Sequence, residues 1–195
     1  MLRVFILFYI SLFLTGCAQV AIGGISKTVL VAKEERSVGT FIDDSIISAK
    51  LKNLYFNNNE KIFFNVDVEV NEGRVLLTGT VDSSDIRIEA TQLAWGINDV
   101  VTVINEIQIS NTDSILDYAD DLVITTKINA KLLLNKEINN LNYNVDTVNK
   151  IVYLIGIAQD KKELDKVVEI VNKIYGVEEV INYVRLKNKT NKNAS

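Results

Sequence analysis

The sequence holds no histidine and no proline, and it has one cysteine, one methionine and one tryptophan. Without histidine, the commonest general base and the commonest metal ligand are both absent. With a single cysteine, Cys17, no internal disulfide can form, and neither a Cys/His nucleophile nor a zinc site can be assembled. The lack of proline leaves chain reversals to Gly, Asn and Asp. Neither a glycine-rich phosphate loop nor a nucleophile-elbow pattern occurs. There is also no excess of positive charge: 21 Lys and Arg stand against 25 Asp and Glu, with no basic stripe interleaved with aromatics. Phosphate backbones would not be drawn to such a chain, so nucleic acid is excluded as an expected partner. The expectation is a protein that is not an enzyme and holds no metal or cofactor.

The long apolar run is missing too. Val4 to Leu14 is apolar apart from Ser11, but it is much shorter than the roughly 20 residues that span a bilayer. Preceded by Arg3 and closed by small residues, it has the build of a secretory signal peptide, residues 1–16. Leu14-Thr15-Gly16-Cys17 resembles the lipobox of bacterial lipoproteins. That resemblance implies cleavage before Cys17 and acylation of Cys17, so the only cofactor-like group expected is a covalent lipid. The protein would then be anchored to a membrane rather than spanning it. Ala18 and Gln19 follow, without the Asp that retains lipoproteins in the inner membrane, which implies the periplasmic face of the outer membrane.

The remainder reads as two copies of one pattern. Ile47, Leu51, Leu54 and Tyr55 lie at helical spacing after Asp43 and Asp44, which are expected to cap that helix. Phe64, Val66, Val68 and Val70 alternate with polar residues as a strand, Asn71-Glu72-Gly73 turns, and Val75 to Val81 returns. A second helix runs from Ser83 or Ser84 with Ile86, Ala90, Leu93, Ala94 and Ile97 apolar, and a strand with Val103, Ile104 and Ile107 closes the copy. In the second copy Asp120 and Asp121 precede Ile124, Ile128 and Leu132. Val145, Val152, Leu154, Val167 and Val171 are expected in its core. Gly79 and Gly156 occupy equivalent places, 77 residues apart.

The order of elements, the Gly-[Ile/Val]-x-x-Val after each second helix (Gly96, Gly176), and Ile104-Asn105 and Ile181-Asn182 near each end resemble the BON domain. Two such units behind a lipobox are similar to the dual BON-domain outer-membrane lipoproteins. The implied fold is α+β: two tandem BON domains, each α-β-β-α-β, with a three-stranded mixed sheet packed against two helices. The implied layout is a signal peptide (1–16), a lipidated N-terminus and tether (17–39), domain one (40–110), a linker (111–119), domain two (120–187) and a polar tail (188–195).

One helix carries more apolar residues than its own core needs. Ile124, Ile128 and Leu132 form the face toward the sheet of domain two, while Leu122, Val123, Ala130, Leu133 and Leu134 fall on other sides. The equivalent places of Leu122 and Leu134 in domain one are Ser45 and Asn57, which assigns the surplus to domain two. Two occupants compete for it: a phospholipid surface, with Lys127, Lys131 and Lys136 near anionic headgroups, or domain one itself. The resemblance implies anionic phospholipid, of phosphatidylglycerol or cardiolipin type. The site would comprise Leu122, Val123, Thr126, Lys127, Ala130, Lys131, Leu133 and Leu134. Its function would be support of outer-membrane integrity. The alternative is a periplasmic adaptor that holds a division-site or other envelope protein. Trp95 is expected to pack in a core or an interface.

Overall fold

The computed structural model describes residues 38–110 and 115–187. Cys17, the leader, the tether before Val38 and the tail lie outside the described residues. In domain one the order is α1 (Val38–Asn58), α2 (Glu60–Asn65), β1 (Val66–Asn71), β2 (Arg74–Val81), α3 (Ser84–Trp95), β3 (Thr102–Asn105) and β4 (Gln108–Ile109). Domain two has α4 (Ile115–Leu134), a 3₁₀ turn (Asn140–Asn142), β5 (Tyr143–Val148), β6 (Ile151–Ala158), α5 (Lys161–Asn172) and β7 (Glu179–Leu186). Each sheet is mixed. β1 runs antiparallel to β2, and β3 and β4 pair with β2 in parallel. β5, β6 and β7 repeat this pattern. Each domain is thus α-β-β-α-β around a central second strand, with α2 added in domain one.

The helices cover one face of each sheet. Ile47, Leu51 and Tyr55 of α1, with Ala90 and Ala94 of α3, bury against Val68, Val75 and Leu77. In domain two, Ile124, Ile128 and Leu132 meet Val152, Leu154, Val167 and Val171. Leu93 and Val145 are only half-buried. The second helices start where a side chain caps them. Ser83 accepts from the Ile86 amide, and Asp160 accepts from the Glu163 amide at 2.9 Å. Gly79 and Gly156 serve close approach: a Cβ there would lie 2.1 Å from the carbonyl oxygen of Asn65 or of Asn142.

The opposite faces of the two sheets pack on each other. Leu76 from β2 joins Val148, Tyr153 and Ile155 in a buried cluster, flanked by Ile104, Ile151, Ile181 and Tyr183. Polar contacts surround it. Arg74 Nη2 donates to the Tyr183 carbonyl at 3.0 Å, Thr78 donates to Asp146, and Asn144 donates to Glu69. One contact recurs pseudo-symmetrically. Gln108 meets Asn149 as Arg185 meets Glu72, each pair built from equivalent positions with the domains exchanged. The layers are therefore helices, sheet, sheet, helices. β6 is apolar on both faces because both are covered, whereas β2 meets the other sheet with Leu76 among Arg74, Thr78 and Thr80.

Four expectations are corrected by this arrangement. Asp43 and Asp44 do not cap a helix, because α1 begins at Val38. Instead the buried Asp44 reaches the β1–β2 turn, where its carboxylate accepts from the amides of Glu72 and Gly73, both at 2.8 Å. Asp121 does the same in domain two, accepting from Asn149 at 2.6 Å and Lys150 at 2.8 Å. All four turn residues have positive φ, between 50° and 68°, so the amides point inward together and need an acceptor. Second, Phe64 is not on the strand but ends the extra helix α2, 70% exposed. Third, Trp95, 54% exposed at the end of α3, is not part of the core. Fourth, surplus apolarity is not confined to domain two: Ile42, Ile46 and Phe56 of α1 are exposed as well.

Two outcomes follow for stability. Asp121→Ala, or equally Asp44→Ala, strands two amides and is expected to cost about 2–4 kcal/mol in denaturant unfolding. Replacing the exposed neighbours Asp43 or Asp120 is expected to cost under about 0.5 kcal/mol. Between the sheets, Asp146 titrates at about 6, raised first by burial and then by the charges of Asp67 and Glu69, against the hydrogen bond from Thr78. Glu69 is raised by burial too, with Asn144 and Lys52 opposing. An acid raised in the folded state stabilises below its unfolded value and loses that contribution as pH climbs through the folded one. Stability is therefore expected to fall between pH 4 and about 6. Asp146→Asn should flatten that slope and raise stability at pH 7 by on the order of 1–3 kcal/mol.

Candidate phospholipid-binding face

The sheet-to-sheet packing leaves the outer sides of the helices free, and α4 is where that matters. Its core residues Ile124, Ile128 and Leu132 are buried. At about 100° per residue, Tyr118, Leu122, Val123, Thr126, Ala130, Leu133 and Leu134 fall within an arc of roughly 160° on the opposite side. All of them are exposed, Leu122 at 56% and Leu134 at 80%. Lys127 and Lys131, also exposed, run along one margin of the arc. Among the described residues, neither lysine has a carboxylate partner, nor has Lys136 beyond the helix end. Every residue singled out from the sequence of this helix thus lies on one continuous surface, and domain one does not cover it.

Tyr118 is the member that sequence reasoning missed. The segment 111–119 reads as a linker, but the helix already begins at Ile115, and Tyr118 lies four residues, one turn, before Leu122. Its ring is 70% exposed. The signal was the spacing of Tyr118, Leu122 and Thr126, one helical turn apart. The arc therefore includes an aromatic with a polar tip, the side-chain type enriched at membrane–water boundaries.

The matching face of α1 is interrupted. Ile46 and Phe56 are exposed at the places of Val123 and Leu133, but Ser45, Asn53 and Asn57 stand where α4 has Leu122, Ala130 and Leu134. Asn57 donates to the Asn53 carbonyl at 2.9 Å, which binds that surface to itself rather than leaving it apolar. The surplus in domain two is thus one of continuity rather than of mere presence.

On the side of the arc away from the lysines lies a cleft of about 390 Å³ between the domains, lined by Phe64, Asp67, Tyr118, Leu122, Thr125 and Asp146 among others. Among the described residues, no cluster of three or more Asp, Glu, His or Cys side chains is placed to hold a metal ion. No helix there is long and apolar enough to cross a membrane. An exposed apolar stripe of this extent on a surface helix, edged by cations, is suited to lying on an anionic interface.

Comparison with known proteins places the fold in a family. The chain is 44% identical over 147 residues to the "Uncharacterized protein in gshII 5'region" of Anaplasma centrale, covering 75% of this chain and 96% of that one. It is 32% identical over 172 residues to the outer membrane lipoprotein DolP of Haemophilus influenzae, covering 88% and 89%. It is 29% identical over 152 residues to the osmotically-inducible protein Y of Escherichia coli, covering 77% and 76%. The BON domain matches twice, over residues 43–111 and 120–188, which are the two α-β-β-α-β units described above. The chain belongs to the BON-domain family, as a tandem, DolP-like member.

Proposed function

We propose that this chain is a lipid-anchored envelope protein that binds anionic phospholipid through the outer face of α4 and supports outer-membrane integrity. The observation that carries this reading is the exposed arc from Tyr118 to Leu134, set opposite the helix's own core and bordered by unpaired lysines. An apolar arc in water is a standing cost, and burying it a few ångströms into a headgroup layer removes that cost. Lysines near an anionic surface add about 1 kcal/mol each, screened by salt. Cys17 would supply the anchor, and a relative named as an outer membrane lipoprotein supports that location. Binding, not catalysis, is the activity proposed.

The anchor and the helix have different tasks in this reading. Acyl chains on Cys17 would hold the protein at the membrane irrespective of headgroup, leaving a tether of about 20 residues before α1. Lipid selectivity then falls to α4. A protein-binding adaptor would present the same stripe to a partner, but it would not need the row of unpaired cations.

The chain from Ala18 onward, lacking both leader and acyl groups, is expected to float with phosphatidylglycerol vesicles and not with phosphatidylcholine vesicles. Leu122→Glu combined with Val123→Glu should weaken that association at least about tenfold, since each carboxylate must be desolvated on insertion. Both positions are solvent-exposed, so the unfolding midpoint should hardly change. Ser45→Glu with Ile46→Glu in domain one should change binding less than about twofold. Unaltered flotation of the folded domain-two variant would remove α4 from the interface.

A further inference from the structure

We propose that the phospholipid-facing surface is composite: Phe64 of domain one enters the same lipid interface as Tyr118 and Leu122 of α4. This rests on the reading of α4 given above and extends it to a residue in the other domain.

The extra helix α2 explains why Phe64 stands where it does. Ile62 of α2 is buried against the core of domain one, and Asn59 caps the helix by accepting from the Lys61 amide at 3.0 Å. The short helix turns Phe64 outward just before β1 begins. Phe63 stacks edge-on between Phe56 and Phe64, with ring centroids 5.1 Å apart in both pairs, so Phe64 is braced from behind. Domain two has only the 3₁₀ turn Asn140–Asn142 at this place, with no aromatic.

Phe64 faces α4 across the seam between the domains. Phe64, Tyr118 and Leu122 line the same cleft, which also holds Asp67, Asp121 and Asp146. Tyr118 and Leu122 form that margin of the α4 arc, so the apolar surface continues from α4 over the seam to Phe64. The pseudo-symmetric seam on the other side of the molecule is a contrast. Phe41, Val68 and Val70 line it together with Asp44, Lys52 and Glu69, and the place of Leu122 is taken by Ser45. The two seams differ at two places: the first has Leu122 where the other has Ser45, and Phe64 of the extra helix α2 has no counterpart in the other. The occupant of the rim formed by Phe64, Tyr118 and Leu122 is a phospholipid surface, on two grounds. The rim is continuous with the α4 arc, and unpaired Lys127 and Lys131 along that arc complement an anionic layer. An aromatic on each side of the seam would hold both domains at the interface, and with them the angle at which the protein meets the membrane.

The test uses the full chain reconstituted in vesicles, with Trp95→Phe as background so that one tryptophan reports at a time. Phe64→Trp and Tyr118→Trp are each measured in phosphatidylglycerol-containing vesicles that carry brominated phospholipid as a contact quencher. Both reporters are expected to shift to the blue and to be quenched, and both to stay unquenched in phosphatidylcholine vesicles that carry the same share of brominated phosphatidylcholine but no anionic lipid. Phe64→Ser is further expected to weaken association of the leaderless chain roughly five- to tenfold, the share of a partly buried phenylalanine. Quenching of Tyr118→Trp without Phe64→Trp would overturn the composite surface and leave the α4 face standing. Quenching of neither would overturn both. Equal quenching of Phe64→Trp in phosphatidylcholine would overturn its dependence on anionic lipid.

Discussion

Everything outside the two cores depends on the packing of one sheet against the other. Leu76, Tyr153 and Ile155 bury the faces that the helices leave bare. A three-stranded sheet with helices on one side would otherwise present its second face to water. Joining two such sheets removes both bare faces at once, and the tandem repeat supplies the partner in the same chain. The consequence is directional. With the sheets spent on each other, the helices point away from the interface, and whatever apolar surface they carry beyond their cores is left for another partner. In α1 that remainder is broken by Ser45, Asn53 and Asn57; in α4 it is continuous.

The interface is not purely apolar, and its polar parts make it conditional. Asp146 sits near Asp67 and Glu69 with a threonine and an asparagine as donors and Lys52 as the nearby cation. Such an arrangement is held by the surrounding packing rather than by its charges, which oppose one another. The hairpin clamps made by Asp44 and Asp121 are the reverse case. There a buried carboxylate meets two amides that the left-handed turn aims at it, and chain segments 28 residues apart are fastened together. With no proline available to stiffen these turns, the clamp is what holds them.

Much of the fold was legible in the residues. Helical spacing in Ile47, Leu51 and Tyr55 and in Ile124, Ile128 and Leu132 placed the first helices, and alternation around Val66 and Val68 placed β1. The repeated Gly-x-x-x-Val and Ile-Asn signatures tied the units together. What escaped has physical causes. Phe64 continued the alternation of β1 by coincidence, and only the cap at Asn59 and the burial of Ile62 show that a helical turn intervenes. The paired acids have the composition of caps, so their use on a turn 28 residues away could not be seen locally. The sheet contact was signalled by Val75-Leu76-Leu77 and Ile151 to Ile155, which do not alternate, but a run apolar on both faces does not say what covers it. On the α4 surface, the face itself was readable, while Tyr118 was lost to a helix start placed five residues late.

In the proposed function, α4 is left to meet lipid because the sheets have used each other. Backbone chemical-shift mapping of the chain from Ala18 onward against phosphatidylglycerol micelles tests it most directly. Perturbations are expected to concentrate from Tyr118 to Leu134, with the sheet contact around Leu76, Tyr153 and Ile155 unchanged. Perturbations centred on α3 or α5, or a sheet contact that opens as lipid is added, would contradict it.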